Sequence, residues 1–224
     1  MNAYEKLANL IFPDVTETVA DLEKRYPARN LKEGAEITRF APSPTGFLHT
    51  GSLFASFVAS KLAHDTNGIF YLRIEDTDTK REIQGSGAAL LKELEVFGII
   101  PHEGYLGDDL EKGIYGPYKQ SERREIYKQY VDQLLNDGKA YIAFDTPEEL
   151  NAARETHPNF QYDASTRNSM HNSLVMPADE VNALIESGAQ YVVRFLIEPN
   201  QDVVVNDLIR GEVIINSSIL DDKV

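Results

Sequence analysis

The chain has 224 residues, of which 42% are hydrophobic, so it is long enough to bury the core of one large domain or two small ones. Its 36 acidic side chains outnumber 22 basic ones and give a formal charge of −14 at pH 7, which excludes nucleic-acid binding through bulk positive charge. The sequence has no cysteine and five dispersed histidines, which excludes disulfides and cysteine-ligated metals and predicts no structural metal site.

The amino-terminal segment, to about Gly34, is predicted to be a helical extension. Apolar residues recur at helical spacing between Tyr4 and Ile11, and Pro13 and Pro27 punctuate the stretch that follows. The first ten residues lack the apolar core of a signal peptide, and no run in the sequence approaches the ~18 apolar residues of a membrane span. We therefore expect a cytoplasmic protein without a membrane partner.

From Ile37 to Ile100 the pattern alternates between strand and helix, which is typical of a parallel α/β sheet. The predicted elements, strand and helix in turn, span residues 37–40, 52–67, 69–76 and 85–97. In the second strand apolar and polar residues alternate, so that Arg73 and Glu75 share one face. The first helix carries an apolar stripe along one face, formed by Phe54, Phe57, Val58 and Leu62.

After Pro101 the density of glycine and proline rises, which predicts a boundary and a new subdomain rather than another strand–helix unit. Ser121 is expected to cap a helix that ends near Asp137. Thr146 and Glu149 have the spacing of a capping box ahead of a further helix. The remaining strand candidates span residues 140–144, 191–197, 202–205 and 212–215, with a turn at 210–211.

A loop rich in proline and glycine joins the first predicted strand to the first helix, with the sequence Arg39-Phe-Ala-Pro-Ser-Pro-Thr-Gly-Phe-Leu-His-Thr-Gly-Ser52. The free N–H groups and the positive dipole end of that helix favour an anion. Gly46 and Gly51 allow a ligand to approach the backbone. The side-chain donors are Thr45, His49 and Ser52. The pattern predicts a phosphate site, although an ordinary proline-rich surface loop ahead of a helix fits it as well.

Charged residues follow the second predicted strand, in the sequence Arg73-Ile-Glu-Asp-Thr-Asp78. Arg73 and Glu75 lie near its carboxyl end, where open α/β sheets bind ligands, and a carboxylate there suits an ammonium group. The alternative is a structural ion pair between Arg73 and Glu75, followed by turn residues.

These two motifs, followed by Gly116-Pro-Tyr-Lys-Gln-Ser-Glu-Arg123, closely resemble the amino-terminal half of bacterial glutamyl-tRNA synthetases, which are class I enzymes. The resemblance runs from about Ala35 to the last residue. It implies the first half of a Rossmann-like nucleotide-binding fold over residues 35–100. Residues 101–224 would then form a truncated α+β insertion that binds the tRNA acceptor end, and residues 1–34 a helical extension. Further matches lie at Lys139-Ala-Tyr, Tyr162-Asp, Arg167-Asn and Asp207-Leu-Ile-Arg-Gly211.

The resemblance also implies roles for individual residues. His49-Thr-Gly-Ser52 stands where the class signature His-Ile-Gly-His contacts the ATP phosphates, which assigns ATP binding to Thr45, His49, Gly51 and Ser52. The positions that hold the glutamate substrate are matched by Arg39, Ala41 and Ser43, and the carboxylate that receives its ammonium group is matched by Glu75. An arginine opposite the side-chain carboxylate favours glutamate over glutamine, because a guanidinium beside a neutral amide loses its partner.

The insertion contains a modest basic face, with four basic side chains against two acidic ones between residues 119 and 128. The residues expected to contact tRNA are Lys119, Arg123 and Arg124, with Arg167 and Arg194 as further candidates. A solvated helix face with internal ion pairs explains the same charges. Some relatives bind zinc here through cysteines; without cysteine no zinc is expected, and Tyr141 and Phe144 would fill that space as strand residues.

The family comparison implies that the parent protein is a cytoplasmic glutamate–tRNA ligase, expected to be a monomer, which uses L-glutamate, ATP with Mg²⁺, and tRNA(Glu). The sequence lacks a lysine loop of the Lys-Met-Ser-Lys-Ser kind, the second half of the nucleotide fold and an anticodon domain. We therefore expect a fragment that is inactive alone. Two alternatives stay open: a paralogue of the glutamyl-Q tRNA(Asp) synthetase type, and a non-catalytic module that binds the acceptor stem.

Overall fold

The structure is a computed structural model that describes residues 3–44, 46, 48–78, 85–107, 110–157 and 159–224, and side chains from residue 6 onward. Its helices are α1 (Ala3–Ile11), α2 (Val19–Arg25), α3 (Thr50–Asp65), α4 (Ser86–Val96), α5 (Arg124–Asn136), α6 (Pro147–Thr156) and α7 (Ala178–Glu186). Its strands are β1 (Ile37–Phe40), β2 (Ile69–Leu72), β3 (Glu103–Tyr105), β4 (Glu111–Lys112), β5 (Ala140–Ala143), β6 (Val192–Phe195), β7 (Asp202–Asp207) and β8 (Gly211–Asn216). None of the helices in these ranges has the length and apolar character needed to cross a membrane.

The chain divides into two compact units. Residues 20–127 form what we call the sheet unit, and residues 1–19 together with 128–224 form the composite unit. In the sheet unit the strand order is β1-β2-β3-β4, with β1, β2 and β3 parallel and β4 antiparallel to β3. Helices α3 and α4 make the crossovers between the parallel strands. The predicted α/β class with a parallel sheet is confirmed.

The core of the sheet unit lies between the strands and helices α3 and α4, and includes Phe70, Leu72, Leu90 and Leu94. Helix α3 turns small side chains inward: Ser56 and Ala63 are fully buried. Its apolar stripe instead faces outward, with Phe54 68% exposed and Phe57, Val58 and Leu62 also exposed. The periodicity therefore identified the residues of the stripe correctly. The face that packs on the strands is a different one, because only small side chains fit where the helix lies close to the sheet.

Two predictions near the end of this unit are wrong. The sheet continues past Pro101, since β3 pairs in parallel with β2 through Tyr71 with Glu103 and Leu72 with Gly104, so a further strand–helix–strand unit exists there. Ser121 does not cap α5, which begins three residues later after a 3₁₀ turn. Its backbone N–H and its hydroxyl both donate to the distant carboxylate of Asp76, and these two bonds hold the serine at that carboxylate.

The composite unit contains the antiparallel pair β5–β6 and the hairpin β7–β8, together with α1, α6 and α7. Helix α1 packs against α7, and the two helices share a core with β5. The buried members of that core are Ala8, Leu135, Ala140, Ile142, Phe144 and Val181. Helix α7 was not predicted from the sequence; it is short, and it packs against α1, which lies far away in the sequence.

Helix α6 begins with the predicted capping box. Thr146 Oγ1 accepts from the Glu149 N–H at 3.2 Å, and the Thr146 N–H donates to Glu149 Oε2 at 2.8 Å. Pro147 occupies the first helical position, where its missing N–H costs nothing. The backbone hydrogen bond from Thr146 also lowers the pKa of Glu149 below its ordinary value.

Replacing Thr146 should test this cap directly. We expect Thr146→Ala to lower the free energy of unfolding by about 1 kcal/mol, because the Glu149 N–H in the first turn loses its side-chain acceptor. Thr146→Ser keeps the hydroxyl and should stay close to the parent chain. Urea denaturation measures both, and an alanine variant as stable as the parent would contradict the assignment.

Three buried tyrosines hold neutral phenols in the folded chain. Burial, followed by the charge of Glu103, raises the pKa of Tyr118 to about 12. Burial and hydrogen bonds to carboxylates raise the pKa values of Tyr141 and Tyr162 as well. Because the unfolded phenol has a pKa of about 10, each group stabilises the fold below that pH, and the contribution is lost as the pH rises from 10 through the folded value.

We therefore expect alkaline unfolding that begins above about pH 10. In an ultraviolet titration of tyrosinate, Tyr118, Tyr141 and Tyr162 should ionise late, in the same step as the loss of circular dichroism. Each Tyr→Phe variant should remove one late group. Ionisation of all tyrosines in one early step, with the fold intact, would contradict the burial of these phenols.

Candidate active site

The two charged and glycine-rich motifs lie side by side at the carboxyl ends of β1 and β2. The two strands pair in parallel from Ile37 with Ile69 to Phe40 with Leu72. The pairing continues past both strands, since the Arg73 N–H donates to the Phe40 carbonyl at 3.1 Å and the Glu75 N–H donates to the Pro42 carbonyl at 2.9 Å. This is the edge of an α/β sheet where ligands bind.

Glu75 lies between two guanidinium groups. Its Oε1 is 3.6 Å from Arg39 Nη1 and 3.5 Å from Arg73 Nη2. Both distances exceed the 2.7–2.9 Å typical of a charge-assisted hydrogen bond, and the carboxylate side chain is 34% exposed. The ion pair that the sequence offered as an alternative is therefore present, but it leaves the carboxylate accessible to a further cation.

Helix α3 follows the loop after β1 and has an uncharged first turn. His49 stands at its N-cap position in an extended conformation, and within the described residues its side chain makes no capping hydrogen bond. No described atom lies within 4 Å of a Cβ added at Gly51, while Ser52 is partly buried. An exposed imidazole, a hydroxyl and free helix N–H groups together suit an anion. Thr45 lies outside the described residues.

Two residues of helix α4 hydrogen-bond to the backbone of the glycine-rich loop, and neither was predicted from the sequence to do so. The Leu48 N–H donates to Glu93 Oε2 at 3.0 Å, and the hydroxyl of buried Ser86 donates to the Pro44 carbonyl at 2.8 Å. A serine and a glutamate in an amphipathic helix give no sequence signal of this role, because their acceptor and donor lie more than forty residues away.

The third motif joins the second one. The Ser121 N–H donates to Asp76 Oδ1 at 2.8 Å, and the Ser121 hydroxyl donates to Asp76 Oδ2 at 2.6 Å. The Ile74 N–H donates to the Tyr118 carbonyl at 2.9 Å, and the Gln120 N–H returns a bond to the Ile74 carbonyl at 2.8 Å. Residues 118–121 therefore run beside residues 74–76 as a further short strand-like pairing.

The basic residues of the third motif differ in exposure. Lys119 Nζ lies 3.7 Å from Glu122 Oε1 and 5.6 Å from the centre of the Tyr105 ring. Arg123 Nη1 donates to two backbone carbonyls, that of Pro117 at 2.7 Å and that of Tyr115 at 3.3 Å. Arg124, at the start of α5, is exposed. Of the three candidates for tRNA contact, Arg124 presents its charge to solvent most freely.

Arg167 and Arg194, in the composite unit, belong to an interior network. Arg167 is 8% exposed, and its Nη1 lies 3.0 Å from Oδ2 of the fully buried Asp222. Tyr141 OH donates to the same carboxylate oxygen at 2.6 Å. Arg194 donates to the Asp222 carbonyl at 2.9 Å, and its guanidinium lies 3.9 Å from the centre of the Tyr162 ring. Their geometry is that of structural residues that tie the chain end to β5 and β6.

The predicted strand residues Tyr141 and Phe144 are both buried, Tyr141 on β5 and Phe144 directly after it. The ring of Phe144 packs edge-on against Tyr191 at 6.3 Å. Across the described ranges, no group of three or more histidine, aspartate or glutamate side chains is arranged to hold a metal ion.

Comparison with known proteins gives a consistent result. Residues 37–224 match the catalytic domain of the tRNA synthetases class I (E and Q). A glutamate–tRNA ligase of Parabacteroides distasonis is 59% identical over 186 residues, covering 83% of this chain and 36% of the relative. One from Clostridium perfringens is 45% identical over 213 residues, covering 94% and 39%.

Solved structures agree with these sequence relatives. A crystal structure of a glutamate tRNA ligase from Elizabethkingia meningosepticum, in complex with its amino acid, superposes with a TM-score of 0.77 at 41% identity. It covers 84% of this chain and 38% of that one. The chain thus spans little more than a third of the length of the proteins that it matches.

The interior network predicts a sharp contrast between two arginines. Arg167→Met leaves the buried carboxylate of Asp222 without its cation, so we expect the free energy of unfolding to fall by about 3–5 kcal/mol. Arg124→Met removes an equal charge from an exposed site and should change it by no more than about 0.5 kcal/mol. Guanidinium denaturation compares the two, and similar small effects would contradict the structural role of Arg167.

Proposed function

Because the chain belongs to the family of class I tRNA synthetases for glutamate and glutamine, we propose that it supplies the glutamate-binding and ATP-binding part of a glutamate–tRNA ligase. The observation that carries the proposal is the pairing of both motif loops at one sheet edge, with Glu75 accessible between Arg39 and Arg73. Six relatives that are 57–59% identical are glutamate–tRNA ligases. The proposed enzyme acts in the cytoplasm as a monomer.

The proposed reaction has two steps. An oxygen of the glutamate α-carboxylate attacks the α-phosphorus of ATP, the bond to the bridging oxygen breaks, and pyrophosphate leaves with that electron pair. A ribose hydroxyl at the end of tRNA(Glu) then attacks the carbonyl carbon of the adenylate; AMP leaves, and the hydroxyl proton passes to solvent. Mg²⁺ enters bound to the triphosphate, as part of the substrate.

Glutamate is held by charge on both of its ends. The carboxylate of Glu75 receives the substrate ammonium, which competes with guanidinium contacts of 3.5 and 3.6 Å rather than with tight hydrogen bonds. Arg39 then faces the substrate's side-chain carboxylate, and Ala41 and Ser43 line the backbone between them. Since glutamine would leave Arg39 beside a neutral amide, the same arrangement discriminates against it.

The ATP phosphates bind at the start of α3. His49 donates a hydrogen bond to phosphate oxygen, Gly51 leaves room for its approach, and Ser52 and Thr45 add hydroxyl donors. The positive end of the helix stabilises the charge that grows on the leaving pyrophosphate. The uncharged first turn and the exposed imidazole support this role.

For the tRNA, we propose contact of the acceptor end with the exposed guanidinium of Arg124 and with Lys119, whose side chain is 22% exposed. Arg123 holds the backbone at residues 115 and 117 in place, and Arg167 and Arg194 stabilise the interior of the composite unit. The first half of the nucleotide-binding domain includes residues 35–100 and continues through β3, which pairs with β2. The inserted region follows it, and residues 1–34 precede it in the chain.

The proposal is tested with the product of the complete reading frame, by ATP–pyrophosphate exchange with and without tRNA. We expect exchange that depends on glutamate and requires tRNA. His49→Ala should lower the rate about 10²–10³-fold, because a donor aimed at transition-state charge is lost. His64→Ala provides the matched control, since it removes an exposed imidazole from the other end of α3 and should leave the rate unchanged.

Substrate binding gives a second readout in the same assay. Glu75→Gln should raise the KM for glutamate at least about tenfold, because an amide binds the ammonium far more weakly than a carboxylate does. Residues 1–224 alone should give no exchange, even with tRNA present. Exchange by this piece, or a full-length product that ignores glutamate, would contradict the proposal.

A further inference from the structure

A short segment ahead of the sheet packs onto the third motif. We call residues 26–29 the arm and residues 115–121 the strap. Tyr26 OH donates to the Gly116 carbonyl at 2.8 Å, and Tyr115 OH donates back to the Pro27 carbonyl at 2.8 Å. The rings of Tyr26 and Tyr115 stack with centroids 6.5 Å apart. Two reciprocal hydrogen bonds and a ring stack therefore fix the arm to the start of the strap.

Arg29 completes the junction with its guanidinium group. It lies 3.7 Å from the centre of the Tyr115 ring and forms an ion pair with Glu103 on β3. The side chains of this ion pair are only 16% and 10% exposed, so the interaction is screened little by solvent. Glu103 also accepts a hydrogen bond from Tyr118 OH at 3.3 Å. One arginine thus connects the arm, the sheet and the strap.

The far end of the strap holds the segment that carries Glu75. Along this segment successive backbone groups point to opposite sides. The N–H groups of Arg73 and Glu75 bond to residues 40–42, whereas the N–H and carbonyl of Ile74 bond to the strap at Tyr118 and Gln120. Beyond the last residue of β2, this backbone is therefore hydrogen-bonded on one side to residues 40–42 and on the other side to the strap.

The arm lies outside the region that matches the family's catalytic domain, which begins at residue 37, yet its contacts are made to residues inside that region. It belongs to the same compact unit as the sheet. A segment whose only role was to extend the chain would not need a nearly buried ion pair and two reciprocal tyrosine hydrogen bonds.

We propose that Tyr26 and Arg29 are positioning residues for the substrate carboxylate of Glu75, acting through the strap. The arm fixes Tyr115, the strap carries that constraint to Tyr118 and Ser121, and these hold Ile74 and Asp76 on either side of Glu75. The substrate-binding consequence rests on the proposed function, but the mechanical coupling between arm and Glu75 does not.

Amide hydrogen exchange of residues 1–224 tests the coupling. Arg29→Met should accelerate exchange of the Ile74, Gln120 and Ser121 amides about tenfold, since their bonds open when the strap loosens. The Gly68 amide, at the end of α3, should keep its rate. Arg29→Lys retains the charge and should restore most of the protection. Lys32→Met is the matched control, because it removes an exposed cation three residues further along.

Selectivity decides the outcome. Equal acceleration at Gly68 would reveal a general loss of stability and overturn the positioning role, as would unchanged rates at Ile74 and Gln120. Tyr26→Phe deletes one hydroxyl and keeps the ring, so it should produce a smaller change at the same amides, about threefold. No change at these amides in this mild variant, with its fold intact, would also contradict the proposal.

A kinetic readout separates this inference from the proposed function. In the product of the complete reading frame, Arg29→Met should raise the KM for glutamate roughly three- to tenfold and leave the KM for ATP unchanged. Unchanged KM for glutamate, in an enzyme with normal glutamate-dependent exchange, would overturn the proposed effect on substrate binding. A parent protein without any such exchange would refute the proposed function, while the amide result would still decide the coupling.

Discussion

The parallel pairing of β1 with β2 is the constraint on which the candidate site depends. It aligns Phe40 with Leu72, and the two backbone bonds beyond that point bring Glu75 next to Pro42 in the loop and to Arg39 on β1. A slip of one residue would turn Glu75 to the other face, among the apolar residues that pack on α3 and α4. The register of β1 with β2 thus determines both which residues of β2 enter the core and where Glu75 lies, so one cannot change without the other.

Around this pairing, the supporting groups are polar side chains that the sequence does not mark as important. Ser86 and Glu93 hold the glycine-rich loop from α4, and Ser121 holds Asp76. Each satisfies a backbone or carboxylate group that is partly or fully removed from water, where an unmade hydrogen bond is costly. Rigid support of this kind allows Glu75 and His49 to remain accessible without losing their positions.

Sequence patterns predicted the elements whose signals are local. The alternation in residues 69–76, the capping box at Thr146 and the helical spacing in α4 all depend on neighbours within a few residues. The failures concern distant partners: β3 needs β2 beside it, and Ser121 prefers the carboxylate of Asp76 to the helix end. The exposed stripe on α3 has the same origin, since periodicity does not reveal which face meets the strands.

The candidate site follows a similar division. The charged residues at the sheet edge could be predicted because each motif coincides with the end of a strand. Positive charge alone does not show whether an arginine contacts RNA or pairs with a buried group. Arg167 and Arg194 read as cations available to RNA, but one is paired with buried Asp222 and the other covers the ring of Tyr162. The guanidinium group is a planar donor of several hydrogen bonds, so an arginine can satisfy several buried acceptors at once.

We propose that residues 1–224 already contain a glutamate site at this sheet edge. This site can be tested by titrating the isotope-labelled chain with L-glutamate and following the amide chemical shifts. We expect saturable shifts concentrated in residues 39–43 and 73–76, with a much weaker response to L-glutamine. Equal responses to both amino acids, or shifts spread over residues 128–224 with none at the sheet edge, would contradict it.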